Sequence, residues 1–164
     1  MTTTRLARQR LILAVALLAG AFVLPATAAE AKVRVSVLGW STAPAASTPQ
    51  VKNGETIEQC LDAGNGQRSI RVIFRGRGIA KRTKVGVGLW GGPPSAGFAA
   101  EPTDADVLKT AFRWPVGETK TSIQPYGYSF AQGPFGPIRI NGEWQVKILV
   151  KQKVVARGKV TVAC

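Results

Sequence analysis

The sequence predicts an all-β domain, an antiparallel sandwich that folds after a leader has been removed. Three observations predict it. Apolar residues recur with period two along most segments after residue 30, Gly- and Pro-rich clusters separate those segments, and a short apolar run near the N-terminus has the order of a secretory signal.

Arg5, Arg8 and Arg10 precede the uncharged run Leu11 to Leu24, and Pro25-Ala26-Thr27-Ala28 supplies the small residues of a cleavage box. A helical run of about 14 residues reaches roughly 21 Å, short of the roughly 30 Å hydrocarbon core, so cleavage is expected rather than anchoring. Ala29-Glu30-Ala31 offers a second box three residues later. No twin-arginine pair precedes the run and no cysteine follows it directly, which argues against Tat export and a lipid anchor. Residues 1–28 are assigned to a cleaved signal peptide and 29–164 to one domain, destined for a periplasm or for release.

The domain has 136 residues, enough for a real hydrophobic core. Without the leader arginines, nineteen cations still outnumber nine carboxylates. The imbalance is local, since no Asp or Glu lies between Asp62 and Glu101 and only Glu143 follows Glu118. Such a charge speaks to partners and solubility rather than to fold. The partners it fits are an anionic polymer of the cell envelope, a membrane surface or an acidic protein, set against a merely solvated surface. Cys60 and Cys164 are the only cysteines, and an even count in an oxidising compartment predicts one disulfide across a span of 105 residues. Two free thiols or an intermolecular bridge are the alternatives.

Val33, Val35 and Val37 alternate with Lys32, Arg34 and Ser36 as a half-buried strand. Residues 41–50 are a Pro/Ser/Ala loop, and residues 55–63 fit a short helix or a strand equally. Ile70, Val72 and Phe74 alternate with Arg71 and Arg75, with Ile73 marking a second buried face; Gly76-Arg77-Gly78 then reads as a turn. Val85, Val87 and Leu89 repeat the pattern opposite Gly86 and Gly88, and Gly91-Gly92-Pro93-Pro94 ends it. Thr103 and Asp106 have capping-box spacing for a turn or two of helix before Trp114-Pro115. Ser122 to Phe130 reads as a strand with Tyr126, Tyr128 and Phe130 on one side.

The C-terminal hairpin carries the most information. Trp144, Val146, Ile148 and Val150 share one parity, as do Val154, Val160, Val162 and Cys164. A three-residue loop, Lys151-Gln152-Lys153, pairs Val150 with Val154 and Trp144 with Val160 and turns both sets inward; a two-residue turn would set them on opposite faces. Gly142-Glu143-Trp144-Gln145-Val146-Lys147-Ile148, then Val154-Val155 and Lys159-Val160-Thr161-Val162, resembles the last two strands of immunoglobulin-like domains. The usual aromatic there is Tyr, so Trp144 carries no tyrosine-corner bond. The resemblance implies an immunoglobulin-like β-sandwich of about seven strands, with a closed barrel as the alternative.

The chain has no histidine, which removes Ser-His-Asp and Cys-His catalysis and the commonest metal ligand. With both cysteines bridged, no thiolate nucleophile or thiolate metal site remains. Carboxylate chemistry is left, and Glu55 with Glu58 and Asp104 with Asp106 are the close acidic pairs, more readily read as solvated charges. No catalytic residue, metal site or cofactor is therefore assigned. Gly86-Val87-Gly88-Leu89-Trp90-Gly91 satisfies a dinucleotide-loop spacing, but inside a strand and before a Gly-Pro-Pro stop. Those glycines instead mark a bulge or a neighbour packed close by.

Two cationic groupings are the candidate binding sites. Arg68, Arg71, Arg75, Arg77, Lys81, Arg82 and Lys84 crowd one strand end and loop. Lys147, Lys151, Lys153, Arg157 and Lys159 fall on the outward face of the last hairpin, with Lys147 directly opposite Arg157. Like charges so placed oppose folding slightly, a cost that anion binding would relieve. Nucleic acid is disfavoured by export and by the lack of aromatics placed among the cations. The expectation is an exported, non-enzymatic binding or structural module. An inhibitor acting through loops 91–102 and 131–137, or a carboxylate hydrolase, is the alternative; oligomeric state is left open.

Overall fold

The computed structural model of the protein describes residues 32–58, 68–94, 97–130 and 140–163. The expected leader, Cys60 and Cys164 lie outside the described residues.

The described residues form nine strands and one short helix: β1 (Arg34–Ser41), β2 (Val51–Lys52), β3 (Thr56–Glu58), β4 (Arg68–Arg77), β5 (Lys84–Gly91), α1 (Asp104–Lys109), β6 (Phe112–Arg113), β7 (Ser122–Phe130), β8 (Gly142–Val150) and β9 (Lys153–Ala163). They make two sheets rather than a closed barrel, one ordered β2-β1-β4-β7 and the other β3-β9-β8-β5-β6. All pairings are antiparallel except β3 with β9, which run parallel with Glu58 opposite Ala163. The first part of the ambiguous 55–63 stretch is thus strand.

Period-two alternation sets the inward face of each long strand. From β4 come Ile70, Val72 and Phe74, from β5 Val85, Val87 and Leu89, and from the hairpin Trp144, Val146, Ile148, Val160 and Val162, all in one buried cluster. Trp40 and Trp114 join it from β1 and from the residue after β6. Buried indole nitrogens need partners; that of Trp144 donates to the Ile140 carbonyl at 2.7 Å and that of Trp40 to Asn53 at 3.3 Å. Trp114 Nε1 has no hydrogen-bond partner.

The hairpin β8–β9 corrects one detail of the expected register. Trp144 faces Val160 and Lys147 faces Arg157, as the pattern requires. The connection, however, is a two-residue turn in which Lys151 and Gln152 both take positive φ, 50° and 64°, the backbone of a tight hairpin turn. A bulge reconciles the two: Ile148 faces Ala156 while Leu149 already faces Val154, so Val155 is the extra residue. Val154 is consequently turned outward and exposed instead of inward. The Gly76-Arg77-Gly78 stretch is also corrected. β4 continues through Arg77, and the chain turns only at Gly78, with φ 75°.

Gly86 and Gly88 mark a close neighbour, and that neighbour is α1. A Cβ on Gly88 would lie 2.5 Å from a Val107 methyl, and one on Gly86 2.8 Å. The helix starts where the capping spacing places it: the Thr103 hydroxyl accepts the Asp106 amide at 3.2 Å and donates to the Asp106 carboxylate at 2.6 Å. It lies on the outer face of the β3-β9-β8-β5-β6 sheet, with Val107 buried against the glycines. Among the described residues no helix is long and apolar enough to cross a membrane.

Candidate functional site

Arg71, Arg75 and Arg77 of the first grouping and Lys147, Arg157 and Lys159 of the second lie on the outer faces of different sheets. Lys147, Arg157 and Lys159 belong to the outer face of the sheet that α1 covers, and carboxylates answer them there. Lys147 is only 4% exposed, and its ammonium sits 2.7 Å from Asp104 and 3.2 Å from Glu101. Burial alone would depress that ammonium, yet its hydrogen bonds to Asp104 and Glu101 outweigh burial and hold it above the usual lysine value. Arg157 bonds Glu101 at 3.1 Å and stands 5.9 Å from the centre of the Trp90 ring. Arg157 and Lys147 together hold the Glu101 carboxyl below its ordinary range. Lys159 reaches Glu143 at 3.5 Å. The opposed Lys147 and Arg157 are therefore bridged by a shared carboxylate. Lys151 is exposed in the turn, and Lys153, expected on the outward face, instead pairs with the core residue Val150 and is exposed only because it stands at the hairpin end. This grouping is mostly satisfied from within.

The other grouping divides. Alternation along β4 sends Ile70, Val72 and Phe74 inward and Arg71, Arg75 and Arg77 outward. Register then adds residues that the sequence pattern did not collect. Arg34 of β1 faces Arg77 directly, Ser36 faces Arg75, and Lys52 of β2 faces Gly39 one strand further out. On the other side β7 contributes Ile123 opposite Arg75, Pro125 opposite Ile73 and Gly127 opposite Arg71. The strands of this sheet contain no Asp or Glu at all. Arg34, Arg75, Arg77 and Lys52 are exposed, and among the described residues none of them forms an ion pair. Arg68 opens β4 opposite Phe130. Lys81 and Arg82 lie in the turn after β4, and Lys84 opens β5 opposite Arg113, in the other sheet. These three do not join the face.

Residues two apart on a strand are roughly 6.6 Å apart, so Arg71 and Arg77 stand roughly 20 Å apart along β4, with the fully buried Ile73 and the exposed Arg75 between them. Arg71 lies across Gly127, where a Cβ would come within 2.8 Å of its Cγ. Its Nε is buried with no hydrogen-bond partner, an open donor within a cationic surface. Lys32, Arg34, Arg77, Gly78, Glu118 and Thr119 line a pocket of about 330 Å³ at the Arg77 end of β4.

Three of the four residues of the acidic pairs serve structural contacts. Glu55 accepts the Lys52 amide at 2.7 Å, Asp104 holds Lys147, and Asp106 bonds Thr103 and Lys109. Tyr128 packs against Phe98 with ring centres 4.7 Å apart, and burial pushes its phenol up to about 12. Among the described residues no group of three His, Cys, Asp or Glu could hold a metal ion. Compared with protein-family models, with curated proteins and with solved structures, the chain matches none.

Proposed function

We propose that this is an exported, non-enzymatic module whose cationic sheet face, exposed at Arg34, Arg75 and Arg77, holds a linear anionic polymer of the cell envelope. One observation carries the reading. Five cations, Lys52, Arg34, Arg71, Arg75 and Arg77, share one outer face whose strands contain no carboxylate, while the opposite face answers its cations from within. Like charges across strands oppose folding by a few tenths of a kcal/mol or more, so a polyanion laid along β4 gains their attraction and relieves their repulsion. Cations spread over roughly 20 Å suit an extended chain better than a compact anion.

Connectivity supports the immunoglobulin-like part of the proposal. β1, β4 and β7 follow the A-B-E order of such domains, and β5, β8 and β9 follow C-F-G. The expected leader supports export. An inhibitor role for loop 91–102 finds less support, because Phe98 is engaged with Tyr128, Phe130 and Trp144. Loop 131–137 lies outside the described residues.

The test is binding to long-chain polyphosphate at increasing salt. Affinity is expected to fall steeply between low and physiological ionic strength, and R75Q/R77Q to flatten that dependence by nearly one unit of slope per cation removed. Salt-independent binding, or binding that the double variant leaves unchanged, sinks the proposal.

A further inference from the structure

The pocket at the Arg77 end has a charge composition that a plain polyanion does not match. Three segments distant in sequence build it: Lys32 and Arg34 from the start of β1, Arg77 and Gly78 from the end of β4, and Glu118 and Thr119 from the turn before β7. The Gly78 amide donates to the Glu118 carbonyl at 3.1 Å and ties two of these walls together. Arg34 and Arg77 face each other directly across the strands. Glu118 is half-buried beside them, yet among the described residues it forms no ion pair with any of the three cations. A simple anion in this pocket meets an unanswered carboxylate, and a simple cation meets three like charges. A ligand bearing both signs answers all four groups.

We infer that the pocket binds an amino-substituted phosphate ester, its phosphate against Arg34 and Arg77 and its ammonium against Glu118. The phosphate is favoured over a carboxylate because three cations against one acidic group match a doubly charged anion joined to one ammonium. Planar guanidinium forks suit its oxygens. The Lys32 ammonium adds charge and the Thr119 hydroxyl a neutral donor. The volume lies at the small end of ligand sites and fits one headgroup-sized molecule. The inference goes beyond the polymer reading and shares only Arg34 and Arg77 with it. Glu118, which the polymer does not need, separates the two.

The experiment titrates the purified protein with O-phosphoethanolamine and with ethyl phosphate, which lacks the ammonium. O-phosphoethanolamine is expected to bind about tenfold more tightly. E118Q should abolish that preference without weakening ethyl phosphate, and R34Q/R77Q should abolish binding of both. Vesicles containing phosphatidylethanolamine identify the source. Glu118-dependent vesicle binding points to a lipid headgroup, and binding of the free ester alone to a soluble or polymer-terminal one; either outcome supports the site. Equal affinity for the two esters, a preference that survives in E118Q, or a preference for β-alanine over O-phosphoethanolamine overturns it. Failure of the esters with polyphosphate binding intact overturns the pocket alone. Ester discrimination without salt-dependent polyphosphate binding overturns the polymer reading alone.

Discussion

The outer faces of the two sheets carry similar cations and treat them in opposite ways. Over β8 and β9, the 101–109 segment folds back onto the sheet, seats Val107 on Gly86 and Gly88, and delivers Glu101 and Asp104 to Lys147 and Arg157. Over β1 and β4 the one nearby carboxylate, Glu118, forms no ion pair among the described residues, and Arg34, Arg75 and Arg77 face water. A lysine on an outward position is therefore no guide to a free charge. What decides is whether another segment lies over it, and a pair of strand glycines is what admits that segment here.

The largest expected contrast comes from removing one cation on each face. Lys147→Ala takes away a buried stem of three to four methylenes along with its ion pairs, and about 2 kcal/mol of stability should be lost. Arg75→Ala should lie within about 0.5 kcal/mol of the parent, because it is exposed and among like charges. Denaturant unfolding of both variants checks this, and equal midpoints would erase the distinction between the faces. Acid sharpens it in the same assay. Glu101 is held below its ordinary value, so its contribution is present above that value and disappears as the pH falls through the lowered one. Parent stability should fall with pH below about 4.3, the ordinary glutamate value, and Lys147→Ala should show a weaker dependence.

A smaller effect is expected from giving the bare face what the covered face has. Ile123 is 46% exposed and stands opposite Arg75. Ile123→Glu creates a cross-strand opposite-charge pair worth a few tenths of a kcal/mol. It should weaken polyphosphate binding as much as loss of Arg75 while leaving the fold intact, read by titration at low salt alongside a thermal melt. Unchanged binding would mean that the polymer does not run past Arg75.

Much of this architecture was legible in the sequence, because period two is a local property. It identified the inward faces of β4, β5 and β8, the Thr103 cap, and the Trp144–Val160 and Lys147–Arg157 pairs. It missed the Val155 bulge, since a two-residue turn with a bulge and a three-residue loop give the same pairing along the rest of the hairpin. Strands β2 and β6 escaped because two residues carry no period. The candidate site was less legible. The run of cations from Arg71 to Arg77 was visible, but Arg34 and Lys52 reach that surface only through sheet order, which alternation does not encode. Glu118 comes to the pocket through a turn that no pattern marked. Conversely, Lys147 counted as an outward cation because nothing in β8 reveals that α1 will cover it.

Pro125 sits midway along β7, the edge of its sheet, facing Ile73 on β4. Having no N–H to give, it fits the ladder only where that donor would point away from β4. A foreign strand approaching the open side would find a gap in its hydrogen bonds at the centre of the edge. The protein can thus present a long β-edge to a crowded surroundings while discouraging stacking into fibres, leaving its recognition to side-chain charge rather than to backbone pairing.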